Sequence, residues 1–275
     1  SLLLATLFIS TSAVLGRYIE LPTEIIIWFR ASLAMVFLFG FCKYKKIDLR
    51  IKSSKDYFPF FISGVFMTAH WITYFYALKL AHVALGVLSL YTFPIIIALL
   101  EPLFLKVKFN PIYILLGILV LTGLYILTPD FNIESSQVKG VLFGIFSAFC
   151  YAIRILLLKK QVSNYNGTML MFYQTVIITI LLLPTLFFMD LSGLKSQFPF
   201  LLLLAFLTTA IGHSLMLHSL KFFSASTASI ISSLQPIFGI ILAFFFLQET
   251  PTLRTFWGGS LILFTVIIEG FRTRK

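Results

Sequence analysis

The residues of this chain with chemistry to offer are polar groups stranded in long apolar runs. A charge at the middle of a bilayer costs about 2.5 to 3.5 kcal/mol on insertion scales, so each one needs a reason. Arg30 lies about two turns inside its span, in the run WFRASLA. It reads either as an anchor for a solute carboxylate or a gate, or as a snorkelling side chain, or as one half of a structural pair with Glu24 or Glu20 near the surface. Glu101 precedes Pro102 near the end of another span. Buried and unpaired it would tend toward the neutral acid and be a proton-coupling group; the preferred reading is an ion pair with Arg154, at a similar depth. Glu249 reads as a helix-end or gate residue.

Ring and amide side chains complete the set. His70 and Trp71 fall near the middle of a span, and His213 holds the position equivalent to Trp71 in the second half of the chain. Each histidine either contacts a solute or proton, or is a buried ring bonded to a backbone carbonyl. Tyr74 lies one helical turn beyond His70, so the two share a face. Tyr91, Tyr151, Tyr173, Gln174 and Gln235 are further polar candidates. Pro94 and Pro236 act through the backbone, freeing the carbonyls of Leu90 and Ser232 for other partners. A cavity lined by rings with few charges suits an amphiphilic or zwitterionic solute better than a polyanion. Four scattered histidines and two distant cysteines have no metal-ligand spacing, so neither metal nor cofactor is expected.

The elements that position these groups follow from composition. With 59% hydrophobic and only 11% charged residues, the chain is an integral membrane protein. Runs such as IIIALL and ITILLLP lack the alternation of a membrane β-barrel. About ten helical crossings are expected, including a continuous fourth from Val83 to Leu105, with no linker long enough for a soluble domain. The first, from Leu2 to about Gly16, reads as a retained helix rather than a signal peptide. Numbering the loops alternately, Lys and Arg divide fourteen against five between the two sides. That asymmetry places both termini in the cytoplasm and the loop bearing Asp130 and Glu134 outside. The net charge of +11 is therefore read as orientation in lipid, and no nucleic-acid partner is expected. Gly140 and Gly144 form a GxxxG packing seam, and Ser224, Ala225, Ala228, Ser229 and Ser232 another.

The chain also repeats itself. Leu78, Lys79, Pro94, Ile95, Leu100 and Leu105 recur as Leu220, Lys221, Pro236, Ile237, Leu242 and Leu247, at a constant offset (236 − 94 = 142). Five crossings per unit is an odd number, so the second copy enters the membrane from the opposite side. Inverted repeats of this kind are typical of carriers that rock one half against the other around a central site.

At WFRASLA, FYALKLAHVALGVLSLYTFP and HSLKFFSASTASIISSLQPIFGIILAFFFLQETPT the chain resembles the drug/metabolite transporter superfamily, and within it the ten-helix EamA-type exporters. The family's proline and the glutamate thirteen residues later match Pro236 and Glu249. The first half departs from this, with Val107 at the equivalent position and Glu101 earlier. The resemblance implies a basket of helices, alternating access, and export or exchange of small metabolites such as amino acids, without ATP.

The expected fold is therefore all-α and membrane-embedded, ten helices in two inverted repeats over residues 1–130 and 131–275. The expected function is secondary transport, by export or exchange, of a small organic solute, with proton coupling as one candidate mode. A facilitative or exchange carrier is the alternative within transport, and a membrane-embedded enzyme or scaffold the alternative outside it. The enzyme reading lacks a nucleophile and base at helical spacing. Expected partners are the solute and the bilayer, with a homodimer left open; the expected location is a bacterial cytoplasmic (inner) membrane.

Overall fold

The computed structural model describes residues 2–105, 111–127, 134–223, 228, 231, 232 and 234–273. Val107, Asp130, Ser224, Ala225, Ser229 and the boundary expected at 130/131 lie outside them. Apolar runs become helices because lipid offers the backbone no hydrogen bonds, so each segment must satisfy its own. In chain order these are α1 (Leu2–Tyr18), α2 (Thr23–Tyr44), α3 (Tyr57–Leu90), α4 (Phe93–Leu105), α5 (Ile112–Leu127), α6 (Ser136–Gln161) and α7 (Gly167–Leu182). They are followed by α8 (Leu194–Ser219), α9 (Leu234–Leu247) and α10 (Leu253–Thr273). No strand occurs among the described residues. Side-chain caps start two of the helices: Val138 N–H donates to Ser135 Oγ at 3.2 Å, and Thr168 N–H to Asn166 Oδ1 at 2.8 Å.

Five stretches are long and apolar enough to cross a bilayer unaided: Thr23–Tyr44, Ser54–Leu90, Ser136–Gln161, Gly167–Phe188 and Leu194–Ser219. The outward surface is apolar too. Leu121, Ile180 and Phe245 stand 64 to 66% exposed, side chains that a protein in water would bury but that lipid solvates.

Backbone detail departs from the expected spans in three places. First, the break between the third and fourth spans falls on a single residue, His82 (φ 63°, ψ 164°), with helix on both sides. The Val83 N–H left over by that break donates to Glu249 Oε2 at 2.9 Å. Second, the expected span Val83–Leu105 is not continuous. The chain turns at Tyr91 and Thr92 and restarts as α4, so Pro94 sits in a first helical turn, where its missing N–H costs nothing, instead of kinking a helix interior. Third, α8 contains a π-helical stretch, Leu204–His213, a geometry that tends to occur at functional sites.

Helix contacts place the part of α3 before His82 antiparallel to α6, with His70 at Ser147 and Ala77 at Gly140, and the part after it parallel, with Ser89 at Gly144 and Phe93 of α4 at Tyr151. Gly140 and Gly144 make the approach possible: a Cβ on Gly140 would run into Ala81, and one on Gly144 into Ser89. The main core joins α1, α2, α3, α4, α6, α7, α8 and α9. A smaller cluster, with Leu116, Val120, Leu124 and Ile262, packs α5 and α10 against Leu88 and Ile95.

Polar cross-links between helices separate onto two opposite faces. One face carries Glu249, Arg17, Lys79, Glu24 and Tyr76. The other carries Lys52 bonded to Asn164, Tyr165 to Asp56, and Lys159 to the end of α8.

Candidate functional site

Between the faces a central cavity of about 30 Å³ is lined from both halves of the chain, by Ile9, Ser12, Arg30, His70, Trp71, Tyr74, Leu90, Tyr91 and Phe93 and by Tyr151, His213 and Gln235. That volume holds about one water molecule. Seven of the nine expected solute-contacting residues, Arg30, His70, Trp71, Tyr74, Tyr91, His213 and Gln235, come together here.

Arg30, on α2, is 1% exposed. The expected surface partner is not used, since Glu24 accepts a hydrogen bond from Tyr76 at 2.6 Å. Instead the guanidinium donates from Nε to Thr209 Oγ1 (2.7 Å), from Nη1 to Ser12 Oγ (3.2 Å), and from Nη2 to Thr208 Oγ1 (3.2 Å) and His213 Nε2 (3.3 Å). Its flat face lies 3.8 Å from the centroid of the Trp71 ring, within cation–π range. Three of these partners, Thr208, Thr209 and His213, come from the π-helical stretch of α8. Because His213 Nε2 accepts from Arg30, the ring proton is assigned to Nδ1, which is buried and has no partner among the described residues.

His70 is fixed by α6. Its Nδ1 bonds to Ser147 Oγ at 2.7 Å, and that hydroxyl donates to the His70 carbonyl at 2.8 Å. The ring stacks on Tyr74 (6.0 Å, 8°) and meets Tyr151 at 4.8 Å. Trp71 and His213, the pair equated by the repeat, touch at 5.6 Å. The carbonyl freed by Pro236 is engaged: Tyr91 donates to Ser232 O at 2.7 Å.

Arg154 is also fully buried, but the expected ion pair with Glu101 does not form. Its helix face turns the guanidinium toward α7, where Nε and Nη2 donate to Gln174 Oε1 at 3.2 and 2.9 Å. Nη1 has no partner among the described residues, and the group lies 5.5 Å from the Tyr151 ring. Gln174 thus holds an arginine and does not line the cavity. Tyr173 also stands apart, donating to Leu49 O at 2.7 Å near one face. Glu101, on α4, lies within electrostatic reach of Lys159.

Each face has a clamp. On one, Glu249 pairs with Arg17 (3.4 Å) and His82 (3.7 Å) while capping Val83, and Arg17 also donates to Lys79 O at 2.6 Å. On the other, Lys159 donates to Leu220 O and Phe223 O, both at 2.8 Å. Arg17 and Lys159 are separated by the repeat offset (159 − 17 = 142). Each therefore ties the end of the first helix of its half to the end of the third. Ser12, Ser147, Thr208 and Thr209 carry much of the site's hydrogen bonding and escaped sequence reasoning. Serine and threonine are common in membrane helices, and nothing local distinguishes those that face a cavity.

Buried polar groups from both halves, converging on a cavity inside an all-helical body with a lipid-facing surface, define a multi-pass membrane transporter. The chain belongs to the EamA-like transporter family, whose pattern matches residues 1–128 and 138–269. It is 26% identical over 198 residues to an uncharacterized transporter of Archaeoglobus fulgidus, covering 71% of this chain and 70% of that protein. Against the uncharacterized transporter YxxF of Bacillus subtilis it is 25% identical over 248 residues, covering 86% and 78%. A solved crystal structure superposes with a TM-score of 0.71 at 15% identity, covering 98% of this chain and 95% of that one; this likeness concerns the fold alone.

Proposed function

We propose that the protein is a secondary transporter that exports or exchanges a small organic metabolite by alternating access. The halves 1–130 and 131–275 part first on one face and then on the other. The observation that carries this reading is the central cavity, built by both halves, closed to about 30 Å³ and flanked by equivalent basic clamps on opposite faces. No metabolite fits a space of that size, so uptake and release require the clamps to open in turn. The lysine and arginine asymmetry puts the Lys159 face and both termini in the cytoplasm, and the Glu249 face outside; a bacterial inner membrane is the corresponding location. Glu101 and Glu249 serve as coupling and gate acids, each beside its basic partner.

Solute counterflow in proteoliposomes tests this. We expect labelled solute from a metabolite panel to accumulate against unlabelled solute, with no covalent product. Product formation without flux would instead indicate an enzyme. For proton coupling, Glu101→Gln is expected to lose flux driven by a pH gradient while retaining exchange; undiminished gradient-driven flux would remove Glu101 from the coupling role.

A further inference from the structure

We infer that the solute is an organic anion, a carboxylate on an apolar ring-bearing body, with its charge seated at Arg30 and its body among the rings of the cavity. The inference rests on the transport reading and names the substrate class of the same site. It narrows the amphiphilic or zwitterionic solute expected from a ring-lined cavity to an anion.

The first support is charge. Arg30 and Arg154 are 1% and 0% exposed, and arginine stays protonated in proteins. Every group bonded to either is neutral: two threonines, a serine and a histidine around Arg30, and Gln174 with the Met171 thioether around Arg154. Glu24, Asp56 and Glu249 are engaged at the two faces, and Glu101 lies within electrostatic reach of Lys159. Hydroxyls and a ring face solvate a guanidinium without neutralising it, and a buried uncompensated charge is costly.

The second support is the sign of the unmet hydrogen bonds. Arg154 Nη1 and His213 Nδ1 are buried and have no hydrogen-bond partner among the described residues. Both are donors, the second because Nε2 of the same ring accepts from Arg30. A donor is satisfied by an acceptor, and a carboxylate is acceptor-only. His213 lines the cavity, so one of these donors stands at the site itself.

The third support is the lining. Trp71, Tyr74, Tyr91, Phe93 and Tyr151 surround the space, and among the described residues no aspartate or glutamate lines it. An ammonium group would meet Arg30 and no carboxylate in the lining, which disfavours both a cation and a zwitterion. The rings offer an apolar body stacking surfaces on either side.

The test compares ligands that share a phenyl ring and differ in charge: phenylpyruvate and phenylacetate as anions, phenylalanine as zwitterion, and phenethylamine as cation. Aliphatic carboxylates and their amines extend the panel. Binding to the purified protein is read by calorimetry and thermal shift. At least one carboxylate is expected to bind and to raise the melting temperature, with the matched zwitterion about tenfold weaker or more. Arg30→Gln should weaken the carboxylate about 30-fold or more, and Arg30→Lys should recover part of the loss. If Arg30→Gln fails to fold, the ranking of ligands by charge on the unaltered protein decides alone. Equal or tighter binding of zwitterion or cation, unchanged affinity in a folded Arg30→Gln protein, or no binding by any carboxylate overturns the inference. Carboxylate binding without counterflow would leave the anion site standing and sink transport. Counterflow of a zwitterion with no carboxylate binding would do the reverse.

Discussion

At the scale of the residue, the site depends on how a guanidinium is held without a carboxylate. Thr208 and Thr209 take two of the donors of Arg30, and a buried donor left unsatisfied costs about 1 to 3 kcal/mol. Replacing both by valine keeps shape and branching but removes the acceptors. We expect the Thr208→Val, Thr209→Val protein to melt several degrees lower in detergent, read by thermal denaturation; an unchanged melting point would mean that the threonines do not hold Arg30. Arg30, His70, Trp71 and His213 were legible in the sequence because a charge or polar ring in an apolar run stands out. The hydroxyls were not. Thr208 also bonds to Leu204 O within its own helix, as such residues do anywhere in a membrane helix. Depth along a span was legible while rotation about the helix axis was not. That is why Arg154, expected to pair with Glu101, in fact faces Gln174.

At the scale of the element, α3 and α6 are joined where side chains are smallest. Because a Cβ on Gly144 would overlap Ser89, Gly144→Leu is expected to force these helices apart at a cost of about 1 to 3 kcal/mol. Reduced yield of folded protein and a lower melting temperature would register this; wild-type stability would contradict the seam. The GxxxG spacing made this contact readable. The break at His82 was foreseen only as a loop, because part of what stabilises it lies far along the chain: Glu249 takes the Val83 N–H across 166 residues. The turn before Pro94 and the π-helical part of α8 were missed for a related reason. Apolar periodicity reports which face of a segment is buried; it carries little information about which carbonyl each N–H reaches.

At the scale of the whole molecule, the repeat connects the site to the clamps. The offset that equates Trp71 with His213 also equates Arg17 with Lys159, and these basic residues tie down helix ends on opposite faces. Glu249→Ala removes the acid that joins Arg17, His82 and the start of the helix after the break. We expect that variant to spend more time open on the Glu249 face. The central claim is that the cavity is reached from each side in turn, and it can be tested without knowing the solute. Leu90 lines the cavity and is 7% exposed; Cys42 and Cys150, both buried, would first be replaced by alanine. A membrane-impermeant maleimide is then applied to Leu90→Cys protein in right-side-out and in inside-out vesicles. Alternating access predicts labelling from both sides, faster from the Glu249 side when Glu249→Ala is added. Labelling from one side only, or from neither, would contradict it.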